Sequence, residues 1–283
     1  MAVRAETDVT FLRPSKGWMA VNLRDLWKYR ELIYFLTWRD IKVRYKQAVL
    51  GIGWAVLQPV FSMVIFTVIF NKLLNVQPDP GISADLYPIF SFAGLLPWQF
   101  FQGASQRASI SLVTNANLLT KVYFPRLIIP LSAVTAGLVD FAFSFLVMVA
   151  LILFYRMPVS LHLLWLPVFL LLALLTALAL GLWLSALNVQ YRDVQQMVPF
   201  LLQAWMFISP VVYSASVINT SKIWQWIYAL NPMVGVIQGF RWAILGTNPP
   251  GATTLVSVGV VLVLFISGVF YFRRMERIFA DMI

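Results

Sequence analysis

Four stretches of this chain, about 52–74, 128–155, 163–187 and 253–272, are apolar over lengths that can cross a bilayer. A helix needs roughly 20 apolar residues to span the hydrocarbon core. Without water there, each backbone amide must be satisfied inside the segment, which leaves few folds open. The composition agrees. Of the 283 residues, 60% are hydrophobic and 11% are charged, against about 25% charged in ordinary soluble domains. The expected fold is an all-α integral membrane protein. Two weaker candidate spans lie near 87–107 and 197–213. The first carries Pro88, Pro97, Gln99, Gln102 and Gln106, side chains costly toward lipid but tolerable against protein or water. The second is short and ends around Pro210.

Residues 223–246 decide the topology. They are numerous enough to span, but Asn231–Pro232 breaks their middle and Arg241 lies within them. Two short half-helices entering the interface from outside, with tryptophans at headgroup depth, fit better. With six spans and both termini cytoplasmic, ten Lys and Arg lie in 1–50, three in 107–127, one in 188–197 and three at the C-terminus. That is seventeen inside against four outside (Lys72, Arg156, Lys222 and Arg241). A seventh span would move Arg273, Arg274 and Arg277 outside, against the positive-inside bias. Six spans is the expectation. The net charge of +10 then belongs to cytoplasmic flanks and calls for no nucleic acid.

Ahead of the first span, 22–48 has helical periodicity. Leu23, Leu26, Trp27, Tyr34, Trp38, Ile41 and Tyr45 fall near one face, and Arg24, Lys28, Glu31, Arg39, Lys42 and Lys46 on the other, with Phe35 interrupting it. A basic amphipathic helix rich in aromatics lies naturally in the membrane interface. The expected organisation is a cytoplasmic segment 1–50 followed by one six-span membrane domain, 51–283. The first twenty residues have no apolar core, so no removable signal peptide is expected.

Chemistry is sparse. There is no cysteine and one histidine, His162, so neither disulfides nor a metal site is expected. No G-x-x-x-x-G-K-[ST] loop is present, so the chain cannot by itself bind and split ATP in the usual way. No D-x-D pair points to a sugar-nucleotide enzyme, and no catalytic residue is assigned. Asp140 lies twelve residues into its span, roughly 18 Å along the helix. Intramembrane carboxylates mark ion or proton pathways, and a secondary transporter would use this one for proton coupling. The plainer reading is a carboxylate bonded to a neighbouring helix. Trp54, Gln58, Phe61 and Ile65 share a stripe of the first span, and Gln203, Trp205 and Phe207 lie on the fifth. Mixed glutamine and aromatic faces suit sugar rings, which stack on aromatics while their hydroxyls pair with amides. They serve a helix–helix contact equally well.

Between the second and third spans runs "NANLLTKVYFPR" (115–126). A merely solvated loop needs no exposed aromatic, so Phe124-Pro125-Arg126 favours docking of a partner. Five motifs then line up in order: "ELIYFLTWRDIKVRYKQAVLGIGWAVLQPV" (31–60), "GLLPWQFF" (94–101), "NANLLTKVYFPRLIIPLS" (115–132), "NVQYRDVQQMVPFLLQAWMFISPVVY" (188–213) and "LNPMVGVIQGFRWAILG" (230–246). Together they resemble the membrane subunit, or permease, of ABC-type polysaccharide and polyol-phosphate exporters, the O-antigen, capsule and teichoic acid exporters of bacteria.

The resemblance implies a homodimer in the bacterial cytoplasmic (inner) membrane, six spans per subunit, each subunit docking one cytoplasmic ATPase that holds ATP and Mg. It implies an undecaprenyl-linked glycan as cargo, with O-antigen first. The channel would use Trp54, Gln58, Phe61, Gln203, Trp205 and Phe207. Arg39, Lys42, Arg44 and Lys46 would recruit the lipid pyrophosphate. The loop 107–127 would be the coupling and gate element, through Asn115, Asn117, Lys121, Phe124, Pro125 and Arg126. The basic helix 22–46 would be a second docking surface, Tyr191, Arg192 and Asp193 another cytoplasmic turn, and 214–246 the extracytoplasmic gate. An ABC exporter of small drugs or lipids would share this architecture.

Overall fold

A computed structural model of the chain describes residues 23–46, 52–158, 160–218, 221–276 and 279. Most of the polar N-terminal stretch and Arg277 lie outside them, so the signal-peptide expectation does too. The described residues are helical, with no strand among them. In chain order come α1 (Leu23–Lys28), α2 (Arg30–Lys46), α3 (Ile52–Phe66) continuing as a π-helical stretch (Thr67–Leu73), α4 (Tyr87–Thr114), α5 (Ala116–Lys121) and α6 (Ile128–Phe154). Then follow α7 (Leu166–Gln190), α8 (Val194–Ile208), α9 (Lys222–Ala229), α10 (Pro232–Leu245) and α11 (Ala252–Glu276). Among the described residues, four helical segments are long and apolar enough to cross a membrane: 53–73, Ile128–Phe154, Leu161–Gln190 and Ala252–Glu276.

One of the two spans that looked weak by hydropathy is the hub. Helix α4 packs against α3, α6, α7, α8 and α10. Its 28 residues rise about 42 Å. Trp98, Phe90, Phe92 and Phe101 on it are fully buried. Its polar residues cost little because protein, not lipid, surrounds them. Buried Ser91, Ser109 and Ser111 donate to the carbonyls of Pro88, Gln106 and Ala108 at 2.9, 2.8 and 2.7 Å, satisfying themselves on their own helix. The crossing of α4 with α7 is close. A Cβ on Gly181 would stand 2.6 Å from that of Ala108, the small-residue contact by which helices associate without a hydrophobic driving force. At one end of this crossing Asn188 Nδ2 donates to Ser109 O at 3.0 Å.

Helix α8 is short because the chain beyond it is held open. After Ile208 the carbonyls of Val211 and Tyr213 accept from Arg241 Nη2 and Nη1 at 2.8 and 3.0 Å. That guanidinium also lies 3.7 Å over the Phe90 ring. Arg241, counted above among outer charges, is in fact buried, 1% exposed. The segment 223–246 does break at Asn231–Pro232: Asn231 caps α10 by accepting from Met233 N at 3.1 Å, with Pro232 as the first helical residue. The two pieces differ from the interfacial pair expected. Helix α9 exposes Ile223, Trp224, Trp226 and Ile227, whereas α10 is core, packed on α4, α7 and α11. Gly239 admits the Phe169 ring where any side chain would collide, which lets α10 sink into the protein.

Helix α2 lies along α6, with Thr37 and Thr135 hydroxyls 2.9 Å apart. Leu36, Thr37 and Asp40 face the protein, while Trp27, Tyr34, Phe35 and Trp38 point away from it among Glu31, Arg39 and Lys42. Trp27, Tyr34 and Trp38 of the expected stripe are therefore not used for packing, while Tyr45 of the same stripe turns in against Asp140 and Phe143.

Candidate substrate cavity

The polar side chains that α4 does not bury in its own packing converge on one cavity of about 490 Å³. Gln99, Gln102 and Gln106 recur at three- and four-residue intervals and so share one face of α4, with Arg107 beside Gln106 at its edge. Opposite them α3 contributes Trp54, Gln58, Ser62 and Phe66, α6 contributes Asp140, Phe141 and Ser144, and α8 contributes Gln203 and Met206. Five glutamines thus surround one space. Gln102 accepts from Trp98 Nε1 at 3.1 Å. The side chains of Gln58, Gln99, Gln106 and Gln203 make no hydrogen bond among the described residues. Unspent amides beside aromatic faces can bind hydroxyl-rich cargo. Lipid tails would leave them unsatisfied.

At one end of the cavity stands Asp140, and it is neither isolated nor free. Arg44 Nη1 donates to Oδ2, Tyr45 hydroxyl donates to Oδ1, and Arg107 Nη1 lies 3.3 Å from Oδ2. Three helices meet there, since Arg44 and Tyr45 end α2, Arg107 lies on α4 and Asp140 on α6. Burial, and then the bond to Asp140, push the Tyr45 phenol up to about 12, so it remains a donor at neutral pH. Arg107 rests where two glycines leave room: a Cβ on Gly137 would strike its Nη2, and one on Gly103 would stand 3.0 Å from its Nη1. Sequence reasoning missed Arg107 by assigning it to the loop after the second span, and took the three glutamines of α4 as a liability. Their helical spacing was the available signal.

Of the six channel candidates, Trp54, Gln58 and Gln203 line the cavity. Phe61 and Phe207 are exposed on the outside of the subunit. Trp205 packs edge-on against Trp98 and Phe101, and its Nε1 donates to Asn231 Oδ1 at 3.1 Å. Of the recruitment candidates, Arg39 is paired with Asp40 at 2.8 Å and donates to Asn115 Oδ1 at 2.7 Å. Lys42 lies 5.6 Å over the Trp38 ring, and Lys46 is exposed.

In the loop the expectation of an exposed Phe124 is corrected. It is 5% exposed and part of the core. Arg126 is likewise turned inward: Nη1 donates to Glu276 O, its backbone N donates to Glu276 Oε1 at 3.4 Å, and its guanidinium lies 5.9 Å over Phe279. The aromatic that stands out is Tyr123, 77% exposed, with Lys121, Val122 and Asn117 exposed nearby. Pro125 is half-buried, as is Asn115, whose Nδ2 donates to Ser111 O at 2.8 Å. Tyr191, Arg192 and Asp193 form an exposed turn between α7 and α8. No cluster of His, Asp or Glu suited to a metal occurs among the described residues.

Long apolar helices around a polar cavity are the architecture of a membrane transport subunit. The profile of the ABC-2 type transporter family matches residues 31–245, and the chain belongs to that family as its permease. It is similar to the O-antigen export system permease protein RfbA of Myxococcus xanthus, 34% identical over 257 residues that cover 90% of this chain and 96% of the relative. The protein of that name from Klebsiella pneumoniae is 28% identical over 257 residues, covering 89% and 95%. The polysialic acid transport protein KpsM of Escherichia coli is 26% identical over 251 residues, covering 84% and 91%.

Proposed function

We propose that this chain is the membrane subunit of an ATP-driven exporter moving a lipid-linked polysaccharide, O-antigen first, across the bacterial inner membrane. The observation that carries this reading is the cavity itself, where five glutamines and the aromatic walls Trp54, Phe66, Phe100 and Phe141 meet. Aromatic faces hold sugar rings weakly, and amides exchange partners with successive hydroxyls, so a chain can slide with small barriers. Two copies form the passage along their shared axis. The exposed apolar residues of α3 and α8, Phe61, Ile65, Phe200 and Phe207 among them, are available to the second copy. Each copy crosses six times, by α3, α4, α6, α7, α8 and α11, with both termini inside and α2 in the inner interface. Arg39, Lys42, Arg44 and Lys46 attract the lipid pyrophosphate. The relatives' names, two O-antigen exporters and a polysialic acid transporter, support a glycan over a small drug. Asp140 is engaged by Arg44, Arg107 and Tyr45, which gives it a bonding role between helices and weighs against proton coupling.

ATP hydrolysis belongs to a separate cytoplasmic ATPase, docked on the exposed loop residues Asn117, Lys121 and Tyr123. The test is purification of the tagged chain from native membranes in gentle detergent. A Walker-type ATPase should co-purify in equal amount and be lost from a Lys121→Glu, Tyr123→Ala variant that still folds. Absence of any ATPase across several detergents sinks the exporter reading.

A further inference from the structure

The cavity end at Asp140 holds more positive than negative charge. Two guanidiniums, Arg44 and Arg107, share one carboxylate oxygen, and Arg107 Nε is buried without an acceptor among the described residues. The seat is built: Gly103 and Gly137 leave the space in which the Arg107 guanidinium lies. Beyond it the cavity wall runs from Arg107 back to Leu95 along α4, about 18 Å at the helical rise. Guanidiniums bind phosphate oxygens in planar, two-pronged pairs. A diphosphate offers more charge and more acceptors than one carboxylate.

Resting on the function proposed above, we infer that Arg44 and Arg107 are a diphosphate-binding site inside the cavity, occupied by Asp140 until an anionic headgroup displaces it. Asp140 balances two charges that would be costly to leave unpaired in a partly buried place. An arriving diphosphate takes over the arginines, whose Nη groups now serve Asp140. Asp140 then parts from Arg44 and Tyr45. Because that group is one of the ties between the end of α2 and α6, headgroup binding releases α2. Occupancy of the cavity thereby reaches the helix at the membrane surface, through a contact that differs between two states.

The test measures equilibrium binding of geranylgeranyl diphosphate to the full chain in nanodiscs, with inorganic pyrophosphate and geranylgeraniol as comparisons. Arg107→Gln should weaken diphosphate binding at least about tenfold, the scale of one charge-assisted hydrogen bond. Asp140→Asn should tighten it about tenfold, because the internal competitor loses its charge. Tyr45→Phe, which keeps every charge and is the milder change for folding, should tighten it by a smaller factor. Lys72→Gln, exposed and not among the residues that line the cavity, controls for loss of one positive charge and should change nothing. Equal affinity for inorganic pyrophosphate supports recognition of the anion alone, and a large preference for the lipid adds a contribution from the tail. Wild-type affinity in Arg107→Gln, weaker binding in both Asp140→Asn and Tyr45→Phe, or equal affinity for geranylgeraniol overturns the inference. Glycan export by the assembled transporter is scored separately. Intact export with binding indifferent to Arg107 removes this site and leaves the function standing; absent export removes the function whatever the binding shows.

Discussion

Single side chains in this protein do work that their chemistry alone does not announce. Arg241 is the clearest. A fully buried arginine among apolar helices is costly, and it is retained because two carbonyls released at the end of α8 need donors. Arg241→Met keeps most of the volume and leaves both carbonyls without that donor. It should lower stability by about 2–5 kcal/mol, the cost of unsatisfied buried polar groups, read as a lower melting temperature in detergent. An unchanged melting temperature would show those carbonyls satisfied in another way. Neighbours in sequence diverge similarly at Tyr123 and Phe124. Phe124→Ala should cost about 3–5 kcal/mol as a core truncation, whereas Tyr123→Ala should stay within about 0.5 kcal/mol and lower only ATPase capture. The two variants are compared in one assay of melting and co-purification. Equal destabilisation by both contradicts the assignment of inside and outside.

At the scale of elements, close helix crossings set what can change. Gly181 meets Ala108 where α7 crosses α4, while Gly53 on α3 has nothing within 4 Å of an added Cβ. Gly181→Ala should therefore destabilise by about 1–3 kcal/mol through overpacking. Gly53→Ala should be neutral or slightly stabilising by helix propensity. Thermal unfolding of the two side by side checks this, and a stabilising Gly181→Ala would mean that the crossing is looser than described. The glutamine face of α4 makes a functional prediction. On the function proposed above, Gln99→Leu with Gln203→Leu should leave folding intact and reduce polymer export at least severalfold, because the wall loses amides that would pair with glycan hydroxyls. Normal export by the double variant would move the path elsewhere.

For the whole molecule, the arrangement explains why hydropathy misjudged α4. A helix walled in by α3, α6, α7, α8 and α10 is free to be polar on the face that bounds a cavity. The same burial made α10 a core element and not an interfacial one. Linked contacts run from α2 through Arg39 to Asn115 at the start of the loop, and through Arg44 to Asp140 at the cavity. From the loop, Arg126 reaches the end of α11 at Glu276. Cavity, α2 and loop are thus one connected structure.

What the sequence by itself determined is the class of structure. Apolar runs of bilayer length, a break at Asn231–Pro232 and an ordered set of motifs are local or periodic signals, and each follows from backbone satisfaction in lipid, proline chemistry or family likeness. Trp54, Gln58 and Gln203 were legible as candidates because mixed amide and aromatic stripes stand out in an apolar chain. What only the tertiary structure decided is which side of each helix meets what. Arg107 joins Asp140 across 33 positions of sequence, Phe124 turns inward while Tyr123 turns out, and Arg241 finds carbonyls on another helix's broken end. Pairings of that kind depend on helix rotation and close approach in space, and a one-dimensional pattern holds the period of a helix but not the neighbour its face will meet.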